Sequence, residues 1–226
     1  MLSLALLTAP TGCVIVSSHD STNVSTLDIN MDVDAADDGK ATTVKVHLGS
    51  PIGDVHLAGG DHLRLTAAGI DRPLTEARDG DDINYTSTFG DASGTFELDL
   101  IRPDDRNALD ITFRMPPSFA LDAPDLSAAD PISLTWDPGD GVDDTLDLAI
   151  SGPCVQTLAR TLAQDTGSYS INPAELVPAG GGGRCPLTIT MRRASTEQRK
   201  VIEGLDSGWF QAKAVQTRTI EIQWSP

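Results

Sequence analysis

Several groups of side chains in this sequence could do chemistry, and their spacing decides how far each can go. His47, His56 and His62 lie close together, each at a polar position of an apolar/polar alternation. Three imidazoles on one outer face could hold Zn²⁺ with an open fourth position. No His-x-His pair forces them together, so they read as solvated surface histidines. Asp137-Pro-Gly-Asp140-Gly-Val-Asp143-Asp144 gathers four carboxylates in one glycine-containing loop, which suits the oxygen preference of Ca²⁺. The spacing is not that of an EF-hand. Nor is that of Asp32-Val-Asp34-Ala-Ala-Asp37-Asp38-Gly39, where Ala stands in place of a third oxygen ligand. Both read as acidic turns, with Asp137, Asp140, Asp143 and Asp144 kept as weak Ca²⁺ candidates and no cofactor expected.

Catalytic constellations are missing. The chain has no Gly-x-Ser-x-Gly elbow, no His-Glu-x-x-His and no dinucleotide fingerprint. Gly180–Gly183 is followed by Arg-Cys-Pro rather than Lys-Ser/Thr, so it reads as a connector and not a phosphate loop. Two carboxylates working as acid and base would need one to be buried with a raised pKa. The acids are mostly Asp and sit in turns, so the chain reads as not an enzyme, with no catalytic residues. With 33 acidic against 16 basic residues the formal net charge is −17, which repels polyanions and argues against a nucleic-acid partner.

Three cysteines remain. Cys13 closes the apolar opening Met1-Leu-Ser-Leu-Ala-Leu-Leu7, follows the small pair Thr11-Gly12 and precedes a polar Ser/Asp/Asn/Thr stretch. This layout resembles the lipobox of bacterial lipoproteins, with Pro10 where Leu is usual. The resemblance implies a signal peptide over residues 1–12, a lipid such as palmitate on Cys13, and membrane anchoring in the cell envelope. Val14 in place of Asp favours the outer membrane by the same resemblance, facing periplasm or cell surface. With Cys13 assigned to lipid, Cys154 and Cys185 are left as a pair, either bonded or as two buried thiols. A bond would add roughly 3 to 4 kcal/mol in an oxidising compartment.

The elements that must position these residues read as strands. Leu27, Ile29, Met31 and Val33 alternate with Asp28, Asn30, Asp32 and Asp34, a period of two that fits a half-buried strand. The pattern recurs through Leu109/Ile111/Phe113/Met115, with turns at Asp38-Gly39, Gly59-Gly60, Asp79-Gly80 and Gly90-Asp91. Prolines at 116, 117, 124 and 131 mark a linker. Alternation restarts at Ile132/Leu134/Trp136 and runs to Ile220/Ile222/Trp224, while Leu158 and Leu162 suggest one helical turn. The sequence predicts an all-β chain: a tether over 13–26 without packed structure, then two immunoglobulin-like β-sandwiches in tandem, 27–117 and 118–226.

Asp165-Thr-Gly167-Ser-Tyr169 resembles the Asp-x-Gly-x-Tyr corner of immunoglobulin-like domains. That implies a Tyr169 hydroxyl bonded back to the backbone, with Asp165 and Gly167 shaping the turn. The second block resembles the immunoglobulin-like stalk domains of bacterial envelope lipoproteins. The expectation is a non-enzymatic envelope lipoprotein, a structural stalk or protein-binding module whose partner is another envelope protein or a glycan. The alternative is a calcium-dependent carbohydrate-binding or adhesin module, with a sugar stacked on Trp209 or Phe210.

Overall fold

The computed structural model describes residues 18–24, 29–51, 53–80, 82–90, 92–103, 109–123, 126–127, 131–139, 144–179, 184–195, 198–201 and 209–225. The protein is all-β, two β-sandwiches in tandem. Among the described residues, ten strands come from the first half: β1 (Ser18–Asp20), β2 (Asn30–Asp37), β3 (Thr42–Ser50), β4 (Gly53–His56), β5 (His62–Ala67), β6 (Ile70–Pro73), β7 (Thr75–Asp79), β8 (Asp82–Phe89), β9 (Gly94–Ile101) and β10 (Leu109–Met115). Nine follow: β11 (Leu121–Asp122), β12 (Leu126–Ser127), β13 (Ile132–Trp136), β14 (Asp144–Gly152), β15 (Val155–Leu162), β16 (Ser168–Ile171), β17 (Cys185–Ser195), β18 (Gln198–Val201) and β19 (Trp209–Ser225).

Alternation does what the sequence demands. In β2, Met31, Val33 and Ala35 are buried, whereas Asp34 and Ala36 face water. The sheet β10-β9-β5-β6 packs its apolar face on a larger sheet containing β8, β3 and β2, around Phe96 stacked on Phe113 at 5.2 Å. In the second sandwich β15-β14-β17-β19 faces β11-β13-β16.

The larger sheet does not stop at the sandwich boundary. β19 has 17 residues, about 55 Å at strand rise. Its first half pairs parallel with β2, from Phe210 opposite Met31 to Gln216 opposite Asp37. Its second half pairs antiparallel with β17, ending with Trp224 opposite Cys185. β18 pairs with the start of β19, so two strands from late in the chain complete the first sandwich. Phe210, Ala212 and Ala214 belong to the first core. Residues 118–226, read from the sequence as one sandwich, therefore serve both.

Two other local readings change. Residues 18–24, assigned to an unpacked tether, are held down: β1 pairs parallel with β4, and a 3₁₀ turn at Ser21–Asn23 follows. Arg102 explains this, because its guanidinium donates to the Ser21 and Val24 carbonyls and pairs with Asp61 at 3.0 Å. Leu158 and Leu162 lie on strand β15, not a helical turn, since a four-residue spacing fits period two as well as period 3.6. Between them, on the same side, stands Arg160, which pairs with Glu175. Arg160 keeps its charge exposed there, and a charged side chain on an edge strand discourages further strand pairing. Leu74 is buried between β6 and β7, where the chain crosses from one sheet to the other.

Candidate functional site: the joint between the sandwiches

The chain crosses between the cores through Pro116, Pro117, Ser118 and Phe119. Two of these residues have no N–H, and away from a ladder their carbonyls need donors. Three side chains from β17 and β19 supply them. Gln216, fully buried, donates to the Pro116 carbonyl at 3.3 Å and the Ala92 carbonyl at 3.4 Å. Arg193, also fully buried, donates to Pro117 O at 2.9 Å and to Asp137 O at 2.8 Å. Arg218 donates to Phe119 O at 2.8 Å and to the Ser118 hydroxyl at 2.7 Å. Both guanidiniums lie against the Phe119 ring, 4.6 Å from its centre for Arg193 and 5.3 Å for Arg218. Only arginine offers five donors in a plane that can also stack on a ring.

Each guanidinium also meets a carboxylate. Arg218 reaches Asp37 at the end of β2, 2.8 Å away, so it ties the linker to the first sandwich. Asp37 also accepts from the Thr42 hydroxyl at 2.6 Å and the Gly39 amide at 2.8 Å. Arg193 pairs with Asp165 at 2.7 Å in the second sandwich. Burial alone pushes the Asp165 carboxyl up. The Trp136 indole, the Gly139 amide and the Arg193 guanidinium outweigh it and hold Asp165 below the usual carboxylate range. A second tie runs from β10 to β18: the Arg114 amide donates to Gln198 Oε1, Gln198 Nε2 donates to Arg114 O, and Arg114 pairs with buried Asp144. Such a network can fix orientation, and its charged groups are spent on one another rather than offered to a cleft as acid, base or nucleophile.

The residues singled out by sequence fall as follows. Cys13, Asp140 and Asp143 lie outside the described residues. Cys154 and Cys185 are disulfide-bonded, with Cα atoms 6.3 Å apart, joining the β14–β15 turn to the start of β17. The Asp137 carbonyl accepts from Arg193, and the Asp144 carboxylate pairs with Arg114. At the expected corner, Gly167 has φ +78°, and its carbonyl accepts from the Trp136 amide at 2.9 Å. The tie there runs through Asp165 and the Trp136 indole, 2.6 Å apart. Tyr169 is half-buried against the second core, and its hydroxyl makes no hydrogen bond to a described residue. The tyrosine whose hydroxyl grips backbone is Tyr85 in the first sandwich, accepting from the Leu57 amide at 2.8 Å.

The histidines have separate surroundings. His47 is 3.4 Å from Asp54, His56 is 2.9 Å from Glu76 and 3.3 Å from Asp20, and His62 contacts the Gly60 carbonyl. Among the described residues no group of three or more His, Cys, Asp or Glu is placed to hold a metal ion. Phe210 is fully buried in the first core and Trp209 half-buried beside it, which removes Phe210 from any sugar platform. A depression on the outer face of β14, β15 and β17 is lined by Asp147, Ala149, Ala159, Thr161, Thr190 and Arg192, and its carboxylate lies 3.5 Å from Arg192.

Sequence reasoning missed Arg193, Arg218 and Gln216. The signal was present: Arg193 continues the core phase of Leu187/Ile189/Met191, and Gln216 and Arg218 continue that of Ile220/Ile222/Trp224. A polar residue on a core phase announces a buried partner.

No family profile matches this chain, and no curated protein matches it in sequence. Solved structures similar to it include the following three. A cytokine receptor complex shares 11% identity over 74% of this chain and 91% of its own, with a TM-score of 0.32. A two-domain fibronectin type III segment from chicken tenascin shares 11% over 88% and 100%, TM-score 0.29. The Yersinia pseudotuberculosis adhesin InvE shares 14% over 85% and 59%, TM-score 0.24.

Proposed function

We propose that the protein is a non-enzymatic module of the cell envelope, held by lipid on Cys13, in which two sandwiches act as a stalk that presents its far end to another envelope protein. The observation that carries this reading is the placement of the two ends. Ser18 lies opposite Asp54, Asp54 opposite Gly49 and Gly49 opposite Asn30, at the pole of the first sandwich remote from the second. Trp224 and Cys185 mark the opposite pole of the second. Whatever precedes Ser18 and follows Ser225 thus leaves from opposite ends of an elongated body. The apolar run ending at Cys13 supplies the anchor, and the joint supplies fixed geometry.

Detergent-phase partitioning of membranes expressing the full chain tests the anchor. Wild type should enter the detergent phase and Cys13→Ser should remain aqueous; equal partitioning of the two removes lipidation from the reading.

A further inference from the structure

We propose that this fold carries tension along its long axis, with β19 as the member that transmits it and the β2–β19 pair as the element that resists it. The proposal rests on the anchoring reading above, because only a chain held at its N-terminal side and engaged at its far pole experiences such a pull.

The geometry follows from register alone. β2 and β19 are neighbours and parallel over seven residue pairs, from Met31–Phe210 to Asp37–Gln216. The chain enters β2 at Asn30, at the outer pole of the first sandwich, and leaves β19 at Ser225, at the outer pole of the second. A pull between the ends therefore drags β2 one way and β19 the other, along the strand axes. Shear of this kind loads every hydrogen bond of the pair at once, whereas peeling from one end loads them in turn. The far half of β19 is held the same way by ten paired residues of β17.

The N-terminal side is built consistently. Before the pull reaches β2 it meets β1, paired along β4, and the grip of Arg102 on Ser21 and Val24. Side by side with the β2–β19 pair, Arg218 bridges β19 to Asp37 at the end of β2, adding an ion pair to the same seam. An ordinary tandem would put separate strands at the inner ends of its two sandwiches and transmit force through the linker. Here the force passes along one strand shared by both, and Pro116–Phe119 is bypassed.

Single-molecule pulling on the full chain tests this directly. In one geometry the handles sit at the N- and C-terminal ends. In the other, one handle sits at the C-terminal end and one on an azido side chain introduced at Ser151, which lies at the same pole and so makes β19 peel. End-to-end pulling should give one main rupture that releases both sandwiches, a gain of roughly 55 nm with the Cys154–Cys185 loop still closed by its disulfide, at a clearly higher force than in the same-pole geometry, since shear engages the whole paired register together. Equal forces in the two geometries overturn the proposal. So does an end-to-end trace in which the first sandwich extends alone, at lower force, with the second still folded. Both readouts use purified protein with attached handles, so they stand whether or not Cys13 proves to be lipidated.

Discussion

Replacing Arg193 by Met is the sharpest probe of the joint. Methionine keeps an unbranched apolar stem against Phe119 and removes all five donors. The Pro117 and Asp137 carbonyls lose their partner, and Asp165, whose side chain is 8% exposed, loses its guanidinium while keeping the Trp136 and Gly139 donors. Breaking one side of a buried pair costs about 3 to 5 kcal/mol, mostly because the remaining charge stays buried. For a chain of this length each kcal/mol corresponds to about 2 to 4 °C, so the midpoint should fall by about 6 to 20 °C. Thermal and urea unfolding, followed by circular dichroism and tryptophan fluorescence, measure it.

The pH dependence gives an independent check. The Asp165 carboxyl is held below its ordinary value, so its contribution is present above the unfolded carboxylate range and is lost as pH falls through the lowered folded value. Without Arg193 the desolvation that opposes ionisation is less balanced, and protonation relieves the stranded charge. The gap between wild type and Arg193→Met should therefore narrow as pH drops through the carboxylate range. Arg193→Met combined with Asp165→Asn should show a coupling of about 0.5 to 3 kcal/mol. A gap below about 1 kcal/mol that does not change from neutral to acid pH would refute the reasoning about the joint.

Phe210→Ala should cost about 3 to 5 kcal/mol, because a fully buried ring 6.4 Å from Phe113 is removed from the first core. Both sandwiches should still melt in one shifted transition; a biphasic melt with the second sandwich unmoved would show that the shared β19 does not couple them. Gly167→Ala should cost about 1 to 2 kcal/mol for a residue at positive φ, with the new Cβ 3.1 Å from the Trp136 carbonyl. An unchanged midpoint would show that this turn relaxes freely.

Much of the fold was legible because large β-branched and aliphatic residues alternate with mostly charged or polar ones. Val44, Val46 and Leu48, or Leu146, Leu148 and Ile150, leave little choice but a half-buried strand. The first half of β19 was hidden for the opposite reason. Ala212 and Ala214 fill their inward positions, too small to mark an alternation, and their partner strand β2 is far away in sequence. Parallel pairing between distant segments leaves no local trace. β15 was obscured by Arg160 on its inward phase. The disulfide was available from counting once Cys13 was set aside, while the joint was not. Asp165, Gly167 and Tyr169 carry the corner pattern, and the tie at that turn runs from Asp165 to Trp136 and Arg193 rather than through the Tyr169 hydroxyl.

The polar character of the joint has a physical consequence that an apolar one would lack. An apolar patch between two sandwiches is satisfied by many relative orientations, since dispersion and water exclusion have little direction. The linker carbonyls of Pro116, Pro117 and Phe119 accept only from donors on particular lines, and Gln216, Arg193 and Arg218 project from two adjacent strands of one sheet. Rotating one sandwich against the other would strand these buried groups, each at a penalty of about 1 to 3 kcal/mol or more where a charge is involved. The continuous β19 forbids sliding along the axis, and the arginines around Phe119 forbid turning about it. The proposed stalk role needs both restraints, because a spacer that hinges cannot hold its two poles at a set distance from each other.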